Sequence, residues 1–203
     1  TGARDSNDAE AWAGLSLLTT DAWAHGFGGR AGDDALLERA RETARHAMDI
    51  NGKNMHANLA LASTRYFSGE EFHEVADRIL AAWPENAEAL AYVGGLLLLS
   101  GDTDRGRALV ADAIKWTSQV PSGYYATSSL GALREHHYDD ALAFALRIDS
   151  PDWPLGHLIV AAASALGGRM DLAVRARERL IELDPTAATH LPDVLRRWRV
   201  EPV

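Results

Sequence analysis

Four turn-forming residues, Gly69, Gly101, His136 and Gly168, recur along this chain at separations of 32, 35 and 32 residues. A period near that length suits one helix-turn-helix unit per repeat. Between these corners Pro84, Pro121, Pro154 and Pro185 each stand just before, or at the start of, a new apolar-periodic segment. A missing backbone N–H costs nothing there, because the first helical turn has no partner for it. Each unit therefore runs from a proline through one helix, round a corner and down a second.

The internal register is sharper than the period. Gly94 is followed 12 residues later by Gly106 and 7 later by Ala113, Ser129 by Ala141 and Ile148, and Ala161 by Ala173 and Leu180. A small residue on the first helix lets the second approach, and small residues on the second admit the next unit. These positions resemble the tetratricopeptide signature: a large residue, then Leu-Gly, a small residue, and Ala and Pro downstream. The segment Leu90-Ala91-Tyr92-Val93-Gly94 through Gly101-Asp102 to Ala113-Ile114 is the best match, and His157 to Pro185 follows it.

The expected fold is all-α: a right-handed α-solenoid of about five tetratricopeptide-like helix pairs with a C-terminal capping helix. Residues 1–203 form one repeat domain, with units at about 8–52, 54–84, 86–118, 121–150 and 154–185 and the capping helix at 187–198. Expected helices are 8–24, 35–50, 54–68, 71–83, 86–100, 103–117, 122–134, 138–148, 155–167, 170–183 and 187–198. Two units depart from the pattern. Gly69-Glu70-Glu71-Phe72 reaches Pro84 too soon, so the second helix of that unit is about a turn short; the segment Ala24 to Gly32 lengthens the first corner. In the capping helix Leu191, Val194, Leu195 and Trp198 share a face, with Asp193, Arg196 and Arg197 turned away.

Charge and composition narrow the function. A formal net charge of -9 opposes sequence-independent nucleic-acid binding, which needs clustered Lys and Arg, and disfavours acidic membrane surfaces. With 0 cysteines, disulfides and thiolate metal sites are excluded. The nearly apolar stretch Ala89 to Leu99 is about half the length of a membrane span, for which about 20 residues are needed. The expected setting is cytoplasmic, or periplasmic if a membrane helix precedes this segment.

Three features resemble the C-terminal repeat regions attached to bacterial class III adenylate cyclases and winged-helix transcriptional regulators. They are the long first corner, the run Tyr138-Asp139-Asp140-Ala141-Leu142 leading to Leu146-Arg147-Ile148-Asp149, and the closing Leu195-Arg196-Arg197-Trp198. In such proteins the chemistry lies in a separate N-terminal domain. The resemblance implies a sensing or docking module in a bacterial signalling protein.

Catalytic motifs are weak. Gly26 to Gly32 follows a helix, not a strand, and lacks the Gly-Lys-Ser/Thr ending of a phosphate loop; it reads as a lengthened corner, with Asp33 and Asp34 capping the second helix. His73-Glu74-Val75-Ala76-Asp77 begins like a zinc-protease helix but has Asp where the second histidine belongs. His136 takes a corner that other units give to glycine, and backbone conformation explains it better than metal binding. His157 reads as a packed histidine facing its partner helix. No nucleophile, base and oxyanion site assemble, so no enzyme activity, metal or cofactor is expected.

A partner surface is expected on the first helices, which line the concave side of such a stack. The stripe comprises Leu59, Ser63 and Tyr66; Glu88, Tyr92 and Leu99; Thr127, Leu130 and Arg134; and Leu155, Ile159 and Leu166. It is largely apolar, and only Arg134 resembles the basic residues with which repeat domains grip a C-terminal carboxylate. The expected partner is a protein or peptide presenting an apolar or amphipathic segment. Self-association into a homodimer is the competing reading, since an apolar face suits a second copy equally.

Overall fold

The computed structural model describes residues 7–26 and 34–199. Among the described residues there are eleven α-helices and no strand: α1 (Ala9–Ala24), α2 (Ala35–Ile50), α3 (Met55–Ser68), α4 (His73–Ala82), α5 (Ala87–Ser100), α6 (Thr103–Lys115), α7 (Ser122–Arg134), α8 (Tyr138–Ala145), α9 (Pro154–Leu166), α10 (Met170–Leu183) and α11 (Ala187–Arg197). The all-α, paired-helix class read from the repeat is the class observed. Contacts divide the chain into two compact units, unit 1 at Thr1–Val93 and unit 2 at Gly94–Val203.

Helix ends follow local chemistry. The Asp8 carboxylate accepts from the Glu10 and Ala11 amides at 3.0 and 3.2 Å, and Asn54 Oδ1 accepts from Ala57 N at 2.8 Å. Both satisfy donors that the first turn leaves orphaned. All four corner residues adopt positive φ: Gly69 80°, Gly101 102°, His136 60° and Gly168 74°. His136 thus holds a left-handed conformation that costs a side-chain-bearing residue energy.

In unit 1, Ser16 Oγ donates to Ala40 O at 2.7 Å, joining α1 to α2 where Ala40, Ala44 and Ala47 are buried. Buried Asn58 ties α3 to α4 and to the preceding turn: its Nδ2 donates to Gly52 O and Asn54 O at 3.0 and 2.8 Å, and its Oδ1 accepts from Arg78 Nε at 3.0 Å. Aromatic side chains fill the corner end. Tyr66 meets Phe67 and Phe72 edge-on at 5.0 and 5.7 Å, and Trp23 meets Phe67 at 5.9 Å.

In unit 2 the expected close approach of α6 to α5 is present. A β-carbon on Gly106 would stand 2.7 Å from both Gly94 O and Leu98 N, so only glycine fits. The same position in the next hairpin is a hydrogen bond, Ser129 Oγ to Ala141 O at 2.8 Å. Leu180, Ala187, Leu191 and Val194 form a cluster with Leu158 and Trp198 packed on it, which seats α11 against the last hairpin.

Several local expectations need correction. Helix α8 ends at Ala145, not 148, because the chain tightens: Arg147 N bonds Phe144 O and Ile148 N bonds Ala145 O, each three residues back. Asp34 stands at the N-cap of α2 but makes no side-chain capping bond. Phe27 to Gly32 and Asp33, also read as corner and cap, lie outside the described residues. His157 is half-buried, and its Nε2 lies 2.9 Å from Pro151 O, a tie between α9 and the preceding turn that the sequence does not suggest.

Candidate functional site

Within unit 1 the expected stripe divides. Leu59, Ser63 and Tyr66 are interior, with Tyr66 1% exposed. Their spacing from the corner differs in part from that of unit 2. Leu99, Arg134 and Leu166 stand two residues before their corners, whereas Tyr66 stands three before Gly69; the equivalent residue is Phe67. Register alone does not decide burial: Ser63 stands six before its corner, as Leu130 does, and is fully buried, while Ala165 stands three before Gly168, as Tyr66 does before Gly69, and is exposed.

Glu88 is exposed at the start of α5 and pairs with its neighbours. His56 Nε2 lies 3.0 Å from Glu88 Oε1 while Nδ1 lies 2.5 Å from Glu10 Oε1, and Asn54 Nδ2 donates to Glu10 Oε2 at 2.8 Å. Burial pushes the ionisation of the Tyr92 hydroxyl upward, the negative charges of Asp21 and Glu88 add to this, and the nearby Ser63 hydroxyl opposes it. Burial likewise raises the Asp21 carboxyl, with His25 acting the other way. The first-helix side of unit 1 therefore carries carboxylates, a histidine and a tyrosine.

Within unit 2 five of the expected residues converge. Leu99, Leu130, Arg134, Ile159 and Leu166 line a groove of about 510 Å³ together with Leu98, Leu133, His136, Leu158, Ala162, Ala165, Leu195 and Arg199. Its floor is aliphatic because α7 and α9 present Leu130, Ile159 and Ala162 at helical spacing. Leu166 is 39% exposed at its edge. Arg134 Nη1 donates to Leu99 O at 2.9 Å, which fixes that guanidinium at the corner end, and His136 Nδ1 lies 2.9 Å from the Tyr138 hydroxyl. Among the described residues no Asp or Glu lines the groove.

Two expected members of the unit 2 stripe lie elsewhere. The Thr127 methyl packs on Gly95, 3.4 Å from where a β-carbon would stand, and Leu155 is buried. Conversely, the sequence reading placed His136 only as a corner residue and Leu195 only as packing for the last helix. The signal for both was present: His136 follows Arg134 by two residues, and Leu195 lies four beyond Leu191 on the helix that closes the groove. Beside the groove a polar depression is lined by His136, His137, Tyr138, Asp139, Asp140, Leu166 and Gly167.

The histidines serve local structure. His73 takes Glu71 as its partner, with backbone N and Nδ1 each 2.6 Å from Oε1, which also holds the Glu71 carboxyl below its ordinary range. Among the described residues no group of three or more His, Asp or Glu is placed to hold a metal ion. No helix of the described residues is long and apolar enough to cross a membrane.

Comparison with known proteins gives a likeness of fold. No family model matches the sequence, and no curated protein matches it. Among solved structures, PilW, described as a widely conserved type IV pilus biogenesis factor, superposes with a TM-score of 0.66 at 15% identity over 93% of this chain and 86% of that one. PilF of Pseudomonas aeruginosa gives 0.64 at 20% identity over 94% and 84%. MamA gives 0.55 at 16% identity over 88% and 95%. At such identities the finding concerns architecture alone: a stack of paired α-helices.

Proposed function

We propose that the chain is a non-catalytic interaction scaffold that holds a protein partner by an apolar or amphipathic segment laid in the groove of unit 2. The observation that carries this reading is the groove itself: about 510 Å³ of space, aliphatic across its floor and bounded by regular helices. That volume lies inside the range of about 300–1,000 Å³ typical of ligand sites. The floor is recessed, with Leu99, Leu130 and Ile159 5%, 6% and 2% exposed, and Leu166 at the edge supplies the exposed apolar side chain. The likeness of fold to other repeat proteins is consistent with a holding role, and the helix-in-groove mode supplies the physics: anchors at i, i+3, i+4 and i+7 enter one continuous cleft.

On the resemblance to repeats attached to cyclases and winged-helix regulators, we read the scaffold as part of a larger bacterial signalling protein. The residues encoded upstream of Thr1 test that: a cyclase or DNA-binding domain is expected, and an unrelated domain would refute it.

Because the chain has no cysteine, Ala165→Cys at the groove edge gives a single labelling site. The labelled protein is titrated with a helical peptide bearing leucines at i, i+3, i+4 and i+7 and an uncharged polar face. Saturable binding that Leu166→Glu abolishes, without change in helical content, is the expected result. If the protein is dimeric by light scattering at the same concentration and Leu166→Glu makes it monomeric, the groove belongs to a second copy and the scaffold reading fails.

A further inference from the structure

We infer that the partner segment in the unit 2 groove is acidic: an amphipathic helix with carboxylates flanking its apolar face. This rests on the groove reading above and adds the partner's chemistry. The lining residues with ionisable side chains are Arg134 at the end of α7, His136 at the following corner and Arg199 just beyond α11, so the basic groups gather where these elements end. The chain as a whole is strongly acidic, with 29 Asp and Glu against 20 Lys and Arg. Among the described residues the ionisable groups that line the groove are all basic, which stands out against that background, and complementary potential is what selects a partner and sets its orientation.

Two nearby sources of negative potential are accounted for. The carbonyl ends of α7 and α9 lie beside the amide ends of α8 and α10 in each hairpin, so their partial charges offset and the full charges of the arginines decide the sign. Glu135, which precedes His136, does not line the groove: Thr103 Oγ1 donates to its Oε1 at 2.7 Å and Arg107 donates to its Oε2. Asp139 and Asp140 lie in the adjoining polar depression, past His136 and Leu166. The carboxylates of the partner therefore belong at the arginine end, and basic groups, if it carries them, near Asp139 and Asp140.

Arg134 is held in place by Leu99 O, so its guanidinium is already ordered when a carboxylate arrives. Such preorganisation lets a planar fork receive a carboxylate with little further loss of freedom.

Three peptides with the same leucine face test this, their flanking positions being Glu, Gln or Lys, each titrated against protein labelled at Ala165→Cys. The Glu peptide is expected to bind about tenfold or more tightly than the Lys peptide at low ionic strength, with the gap closing as salt shortens the screening length. Arg199→Glu should narrow or reverse the preference, and it changes an exposed residue. A second variant, Arg134→Gln, should weaken the Glu peptide selectively if helical content is retained. Equal affinity of all three peptides, independent of salt, would overturn the acidic inference and leave the groove reading standing. Failure of all three to bind would overturn both, as would displacement of every peptide by a dimer contact that Leu166→Glu breaks.

Discussion

Phe67 in unit 1 and Leu166 in unit 2 each stand two residues before a corner, yet their surroundings differ. Phe67 is met edge-on by Trp23 and Tyr66, at 5.9 and 5.0 Å, whereas Leu166 borders an open groove at 39% exposure. The backbone repeat is common to both units; the size of the side chains at equivalent positions differs. Aromatic rings close the corner end of unit 1, while aliphatic residues and alanines in unit 2 leave room for an outside chain. A shared repeat register therefore specifies where a face lies, and the volume of its side chains decides whether that face is core or cleft.

The largest expected effect contrasts the two fates directly. Tyr66→Ala should cost about 3–5 kcal/mol, as truncation of buried aromatics does, whereas Leu166→Ala should cost less than about 1 kcal/mol. Urea unfolding of the two variants measures both; similar losses would break the comparison.

A smaller effect tests what the units share. Ser16 Oγ to Ala40 O in unit 1 and Ser129 Oγ to Ala141 O in unit 2 are buried bonds between paired helices, 2.7 and 2.8 Å long. Ser16→Ala and Ser129→Ala should each cost on the order of 1 kcal/mol, and near-equal values would show that the hairpin joint is the same device in both. A threefold disparity would argue against a common joint.

The smallest effect belongs to unit 2 alone. The hydrogen bond from Thr103 is the largest influence holding the Glu135 carboxyl below its ordinary value of 4.5; burial opposes it, and the charge of Arg107 adds a smaller lowering. A depressed folded-state pKa contributes stability that is present above the unfolded value and is lost as pH falls through the folded one. Glu135→Gln should therefore cost less than about 1 kcal/mol near neutrality, since this surface pair is screened, and nothing once the carboxyl is protonated in acid. A cost that persists at low pH would assign the effect to packing.

The hairpins were legible because their signals are local. Corner residues needing positive φ and small residues 12 apart both declare themselves within one unit. The candidate site was legible only in part. Leu99, Leu130, Arg134, Ile159 and Leu166 do line one groove, because in unit 2 their spacing from the corners is constant. Leu59, Ser63 and Tyr66 are interior, and an apolar pattern within one helix does not mark what the neighbouring helices lay over it. Thr127 and Leu155 do not line the groove, and for Thr127 the neighbour is Gly95 of a different helix, which its own helix's pattern does not reveal.

The joint at Ser16 and Ala40 spans 24 residues of chain where the joint at Ser129 and Ala141 spans 12. Doubling the length of chain that must close costs only about 0.6 kcal/mol of entropy. On that arithmetic the long first corner has little bearing on equilibrium stability, but the cost is met before the contacts that reward it form. The order of assembly should follow: the short-cornered hairpins close first, and α1 joins α2 late. A label reporting α1–α2 proximity during refolding should lag one that reports α7–α8.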